Sequence, residues 1–172
     1  MSGERFASIL LAGFAFVWAT LGTRSLPEPW RRLVLLVASG LSLTVVLLAL
    51  RMPHPSGGFA NTGAEPSWRL YIVCVAFEAL AIPLTVAVLR RRGRVDLILS
   101  SVALIVGLHF LPLISAFHSP AFGWTGGLMC ATAVIGLALP SPKAHGLDGR
   151  NLFVGLACAA ILWGSCATWI VR

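Results

Sequence analysis

Six apolar runs, each 17 to 20 residues long, make up most of this sequence. A helix of that length rises about 26 to 30 Å, which matches the hydrocarbon core of a bilayer. Membrane-spanning strands are excluded, because no run shows the alternating polarity of a barrel strand. The sequence therefore predicts an all-α, polytopic integral membrane protein, with six transmembrane helices in one bundle and one domain covering residues 1–172. The predicted spans are residues 6–22, 33–50, 71–89, 97–114, 122–139 and 152–171.

The composition argues against a soluble protein. Hydrophobic residues account for 58% of the chain and charged residues for only 11%, whereas a soluble domain is about half apolar and about a quarter charged. A soluble core of this size cannot bury that excess, because small domains expose too much surface. The net charge of +7 does not indicate nucleic-acid binding, since the basic residues stand in short loops between apolar runs. The lipid bilayer is the predicted partner, and no nucleic acid is expected.

The loop charges predict the orientation in the membrane. Nine Lys and Arg residues lie in the loops at 23–32, 90–96 and 140–151, and four lie on the opposite side. The positive-inside rule therefore makes these three loops cytoplasmic and places both termini outside the cell membrane. The Pro- and Gly-rich stretch at 51–69 is expected to be an exposed outer loop. The first span should stay uncleaved, because bulky Trp18 stands where a signal peptide needs small residues.

Motifs for catalysis, metals and cofactors are missing from the sequence. The four cysteines all fall inside apolar runs and form no CxxC pair or Cys/His cluster, so no metal site is expected. A haem held by two histidines is excluded, because His109 is the only histidine inside a span. Phosphate-loop, dinucleotide and GxSxG motifs are also lacking. We therefore expect no catalytic residues and no cofactor, and the sequence favours a protein that is not an enzyme.

Two ionisable residues interrupt adjacent spans, Glu78 in the third and His109 in the fourth. A charge at the bilayer centre costs about 2.5 to 3.5 kcal/mol on insertion scales, so such groups usually face protein or water. If the two spans form a hairpin turning at residues 90–96, each group sits about 16 to 18 Å from the turn. Pro83 and Pro112 each remove one helical hydrogen bond and free a carbonyl next to the ionisable residue. The sequence thus predicts a polar intramembrane site of Glu78 and His109, with the two prolines as helix-kink support.

This pair has two interpretations. A carboxyl group and an imidazole at the same depth can exchange one proton near neutral pH, as a proton relay requires. The same pair can instead be a neutral hydrogen bond that only fixes helix packing. The sequence leaves both interpretations open.

Small residues recur at four-residue steps in the last two spans. Gly123, Gly127 and Ala131 share one face of the fifth span, and Gly155 and Ala159 share one face of the sixth. This spacing lets helices approach closely. It predicts that the fifth and sixth spans pack together, and such faces also suit assembly into a homo-oligomer.

The stretch from Val106 to Leu137 contains the sequence GLHFLPL, followed by Phe117, Pro120 and Thr125-Gly126. It resembles a segment of small, uncharacterised bacterial multi-pass membrane proteins. The resemblance covers about a fifth of the chain and draws attention to His109 and Pro112. Those proteins have no assigned activity, so the resemblance implies no function.

Three functions are compatible with these patterns. The first is a small transporter or channel-like protein in which Glu78 and His109 respond to protons or cations. The second is a non-catalytic membrane subunit or scaffold, in which the pair is structural. The third is an intramembrane enzyme acting on lipid or quinone, which the sequence supports least because no nucleophile–base set is visible.

Overall fold

The computed structural model describes residues 3–51, 67–140 and 148–170. The described residues are 91% helical, and they contain no strand. Six of the described helices are long and apolar enough to cross a membrane, which confirms the predicted all-α fold. Most of the predicted outer loop and the middle of the 140–151 loop lie outside the described residues. The helices are α1 (Gly3–Gly22), α2 (Glu28–Arg51), α3 (Trp68–Arg91), α4 (Ile98–Phe117), α5 (Ala121–Ala138) and α6 (Gly149–Ile170).

The turn between α3 and α4 closes the predicted hairpin. Gly93 has a φ of +68°, a left-handed conformation that costs glycine little because it has no Cβ. Its N–H donates to the Arg90 carbonyl at 3.1 Å, and the Arg94 N–H donates to the Leu89 carbonyl at 2.9 Å. These two bonds form a Schellman motif, which satisfies the last carbonyls of α3. The chain then enters α4 through a short 3-10 turn, Val95–Leu97.

At the other end of the hairpin, the chain entering α3 is tied to the end of α4. The Ser67 N–H donates to the Ala116 carbonyl at 2.9 Å. Both helices run through their prolines, since Pro83 lies inside α3 and Pro112 inside α4. The α3–α4 hairpin is therefore fastened at both ends and continuous between them.

Close helix contacts at glycines build the rest of the bundle. The most extensive contacts are between α4 and α5 and between α1 and α6. In the α1–α6 contact, a Cβ on Gly155 would lie 2.7 Å from the backbone N of Gly22. In the α4–α5 contact, a Cβ on Gly126 would lie 2.7 Å from the Gly107 carbonyl oxygen. Both contacts bring backbone against backbone, as small residues allow in membranes.

The predicted packing of α5 on α6 is found, but the three predicted glycines do not make it. Gly123 faces Ile114 of α4, Gly127 has open space around it, and Gly155 faces α1. At α5–α6, Gly136 instead meets a methyl group of Val154. Thr125 and Ser165 add a hydrogen bond of 2.6 Å between their hydroxyl groups. Four-residue spacing identified helices with close neighbours, but it did not identify the neighbour.

A buried arginine at the start of α6 joins three helix ends. The Arg150 side chain is only 5% exposed and lies 2.8 Å from a carboxylate oxygen of Asp96, before α4. Its Nε and Nη2 both donate to the Leu139 carbonyl at the end of α5. Asp148 caps α6 by accepting the Asn151 N–H at 3.1 Å, the role expected of an aspartate before a helix. Asp96, in the short turn before α4, is thus the partner of a buried cation.

Candidate functional site

The side of α3 that faces the bundle carries the predicted polar residue. Residues 71, 74, 78, 82 and 85 are partly buried, and their neighbours along the helix are mostly exposed. No residue of α3 is fully buried, because this helix packs mainly against α4 alone. Residues three and four apart share a helix face, so Glu78 lies in the middle of a single inward stripe.

The structure brings the two predicted ionisable residues together. His109 Nδ1 lies 3.0 Å from Glu78 Oε2, and the two side chains are 9% and 23% exposed. The distance is within hydrogen-bonding range, but the contact falls short of hydrogen-bond alignment, and Nδ1 has no other partner among the described residues. The end of a glutamate side chain rotates easily, so a small movement completes the bond. This proximity agrees with the matched depth of the two residues, while their functional role stays a prediction.

The two prolines flank this contact within the same helices. Pro83 lies five residues beyond Glu78, and Pro112 lies three residues beyond His109. Each removes a backbone donor, which leaves the Ala79 and Leu108 carbonyls without their usual helical bonds. No contact between either carbonyl and the Glu78–His109 pair is seen among the described residues, so the supporting role of the prolines is also a prediction.

Glu78 and His109 both line a cavity of about 540 Å³. Its walls are α1 on one side and α3 on the other, with α4 between them. Sites for small molecules are typically about 300 to 1,000 Å³, apolar, and equipped with a few polar groups. The cavity has these properties. Its other lining residues are Ala7, Leu10, Leu11, Phe14, Val17, Trp18, Leu21, Trp68, Tyr71, Ile82, Val102, Val106, Phe110, Leu113, Phe117, Phe122 and Leu162.

The cavity is long and narrow. Its α1 wall extends from Ala7 to Leu21 and its α4 wall from Val102 to Phe117. At 1.5 Å per residue, each wall is about 21 to 23 Å long. The cavity therefore follows the helices through most of the bilayer thickness, with the Glu78–His109 contact near the middle of its length.

Aromatic rings surround the end of the cavity near the start of α3. The ring centroids of Trp68 and Phe117 are 5.9 Å apart, and those of Tyr71 and Phe117 are 5.8 Å apart. Phe122 continues the series at 5.6 Å from Phe117, and Phe110 at 6.1 Å from Phe122. Spacings of 4.5 to 7 Å are those of interacting aromatic pairs. A continuous series of rings thus leads from Trp68 to the residue next to His109.

The cavity opens sideways, between α1 and α3. These two helices line it together, yet neither packs extensively on the other. Phe14 of α1 and Trp68 of α3 both line it, although 55% and 60% of their surfaces are exposed. Since both helices are apolar enough to span a membrane, this opening faces lipid rather than water.

Sequence reasoning missed the α1 wall of the site. Phe14 and Trp18 lie on the cavity together with Glu78, but α1 is separated from α3 by a whole helix in the chain. The usable signal was the pair of large aromatic residues four positions apart in the first span. That pattern indicates one shared helix face, though it does not say which helix or cavity the face meets.

A metal site has no support in the described part of the chain, where no group of three or more His, Cys, Asp or Glu side chains converges. Comparison with known proteins gives no match among family models, curated proteins or solved structures. The class of the protein therefore follows from its own structure. Six apolar helices fit a multi-pass membrane protein, and within it a carboxyl group and an imidazole meet in an apolar cavity.

Proposed function

We propose that this protein is a small transporter in which Glu78 and His109 bind and release a proton inside the membrane. One observation carries the proposal: the two groups lie 3.0 Å apart on the wall of a cavity. Ionisable residues in transmembrane segments are rare, and they commonly mark proton relays and substrate pathways. A pair that faces an open space can change its charge in response to what enters that space.

The charge of the pair supports a proton-linked function. With glutamate ionised and histidine neutral, the pair carries one negative charge. One added proton makes the pair neutral overall, whichever group holds it, because the charges of imidazolium and carboxylate cancel. Proton binding therefore removes a net charge from an apolar site, and this changes which solutes the cavity attracts.

The scaffold interpretation is the second candidate, and the packing of α3 favours it. Because α3 packs mainly against α4, the Glu78–His109 contact adds a polar bond to the one extensive interface that α3 makes among the described residues. Such bonds average only about 0.6 kcal/mol in membranes. The intramembrane enzyme is the weakest candidate, because the described part of the cavity lining contains no serine, cysteine, threonine or lysine.

The proposed orientation follows the basic loops. With residues 23–32, 90–96 and 140–151 on the cytoplasmic side, the cytoplasmic end of the cavity lies near Leu21 and Val102. The aromatic end, at Trp68 and Phe117, then faces the outside. A solute passing between the two sides would meet the Glu78–His109 pair halfway.

The test is charge movement after a pH jump, measured on proteoliposomes adsorbed to a solid-supported membrane. Protonation of a site inside the bilayer displaces charge, so a jump from about pH 8 to about pH 5 should give a transient current. We expect Glu78→Gln and His109→Gln each to abolish this current, and the double variant to be no worse than either single one. The matched control is Glu28→Gln, since Glu28 is an exposed carboxylate paired with arginines at the start of α2.

Folding must be monitored in parallel by size-exclusion chromatography and thermal unfolding. Glu78→Gln keeps the shape and hydrogen bonding of the side chain, so the variant should remain folded. An unchanged current in this variant would contradict the proton-binding proposal and leave the scaffold interpretation standing. A current lost equally in Glu28→Gln would also contradict it, because the signal would then come from surface charge.

A further inference from the structure

The proposed proton site is also suited to hold an organic cation. Glu78 contributes an acidic group to a cavity whose described lining contains no Lys or Arg. Seven aromatic side chains belong to the same described lining: Phe14, Trp18, Trp68, Tyr71, Phe110, Phe117 and Phe122. Aromatic faces attract cations by about 0.5 to 2 kcal/mol each, most strongly where water is excluded. A carboxylate among aromatic rings is complementary to a cation with apolar substituents.

The position of the rings strengthens this argument. The aromatic series passes from Trp68 through Phe117 and Phe122 to Phe110, and Phe110 lies beside the imidazole of His109, at 5.9 Å between ring centroids. The rings therefore line a path from one end of the cavity to the carboxylate. A cation moving along this path meets aromatic rings before it meets the acid.

Few other titratable groups bear on the pair. On α3, Cys74 lies about one turn from Glu78, and Tyr71 lies two turns away. His109 is the only titratable residue that α4 contributes to the cavity, while the described lining from α1, α5 and α6 is wholly apolar or aromatic. One proton on the pair thus decides whether the cavity has a net negative charge.

We propose that the cavity binds a lipophilic organic cation, which enters from the bilayer between α1 and α3 and exchanges with one proton on the Glu78–His109 pair. This inference rests on the proposed function and adds its substrate class. Cation and proton compete because each neutralises the same negative charge. When the cation binds, the proton leaves for solvent; when the proton returns, the cation loses its counter-charge and is released.

Other occupants fit the cavity less well. A metal cation needs several oxygen ligands, and the only side-chain oxygens in the described lining are those of Glu78 and Tyr71. An anion would face the Glu78 carboxylate, and the described lining offers only the His109 imidazole to balance it. A neutral lipid chain would fit the apolar walls, but its binding would not require the ionisable pair that lies midway along the cavity.

The test uses radiolabelled tetraphenylphosphonium, a cation with four aromatic substituents, on detergent-solubilised protein immobilised on beads. We expect saturable binding at pH 8. As the pH is lowered through the range in which the pair takes up its proton, the affinity should fall about tenfold for each pH unit, because one proton is exchanged per cation. Neutral triphenylphosphine oxide should compete at least about tenfold less well than unlabelled cation, since it lacks the charge. Glu78→Gln should weaken binding by at least about tenfold, while Glu28→Gln should retain it.

The outcomes separate this inference from the proposed function. A pH-jump current that depends on Glu78, without saturable cation binding, would overturn the cation site and leave the proton site intact. Equal competition by the neutral compound would show an apolar site with no charge selectivity and would also overturn the inference. A dimer detected by light scattering, together with no cation binding, would also overturn the inference, because a second copy of the chain would then close the cavity. If the Glu78→Gln variant does not stay monodisperse, two measurements on the wild-type protein decide whether the inference holds: the pH dependence of cation binding and the competition by the neutral compound.

Discussion

Replacing Gly155 with alanine tests whether α1 and α6 cross as closely as the structure indicates. The added Cβ would lie 2.7 Å from the Gly22 backbone N and 2.7 Å from the Trp18 carbonyl oxygen. Atoms in good packing are about 3.5 to 4.0 Å apart, so the helices must separate by roughly 1 Å. Both opposing atoms are backbone, and no side-chain rotation can relieve the contact.

The expected cost follows from two opposing terms. Overpacking a close contact costs about 1 to 3 kcal/mol. Alanine in place of glycine inside a helix returns about 0.5 to 1 kcal/mol. The matched control is Gly164→Ala on the same helix, because a Cβ there meets nothing within 4 Å. The helix-propensity term is shared, so the free energies of unfolding of the two variants should differ by about 1 to 3 kcal/mol, with Gly155→Ala the less stable.

The assay is equilibrium unfolding in mixed micelles, following helical circular dichroism as the denaturing detergent is increased. Equal stability of the two variants would refute the close crossing. The crossing also bears on the site, because α1 forms one wall of the cavity. Trp18 packs at the crossing and lines the cavity. In a protein whose other five tryptophans are replaced by phenylalanine, Gly155→Ala should therefore alter the fluorescence of Trp18, while Gly164→Ala should not.

Two further predictions concern the ends of the helices. Arg150→Met removes the partner of the Asp96 carboxylate and of the Leu139 carbonyl, and it should cost about 1 to 3 kcal/mol of unfolding free energy; an unchanged unfolding midpoint would contradict the observed contacts. For the orientation, a cysteine at Arg92 should resist an impermeant thiol reagent in intact cells while a cysteine at Gly57 is labelled. The reverse labelling pattern would invert the proposed topology.

The parts of the fold that the sequence predicted are those set by local pattern. Apolar run length places the helices, since a segment in lipid must satisfy its own backbone. The Glu78–His109 contact was predictable because a short turn makes α3 and α4 antiparallel neighbours, and equal distances from that turn then bring the two residues to one depth.

Contacts between helices distant in the chain were not predictable in the same way. Gly155 meets Gly22 rather than α5 because many apolar faces compete for each helix, and small-residue spacing fits several of them equally well. The Asp96–Arg150 pair joins residues 54 positions apart, and nothing in the local pattern of either residue identifies the other. The α1 wall of the cavity was missed for the same reason, although Glu78 on the α3 wall and His109 on the α4 wall were identified.

The two fastened ends of the α3–α4 hairpin affect which part of the protein unfolds locally. The Schellman bonds at Gly93 fix the turn at the end of α3, and the Ser67–Ala116 bond ties the start of α3 to the end of α4, whereas α3 packs little against the other helices. Regions with few buried contacts open at lower free energy than the core, and they do so as contiguous units. Hydrogen–deuterium exchange should therefore be faster in α3 than in α6, with the amides along the length of α3 exchanging together.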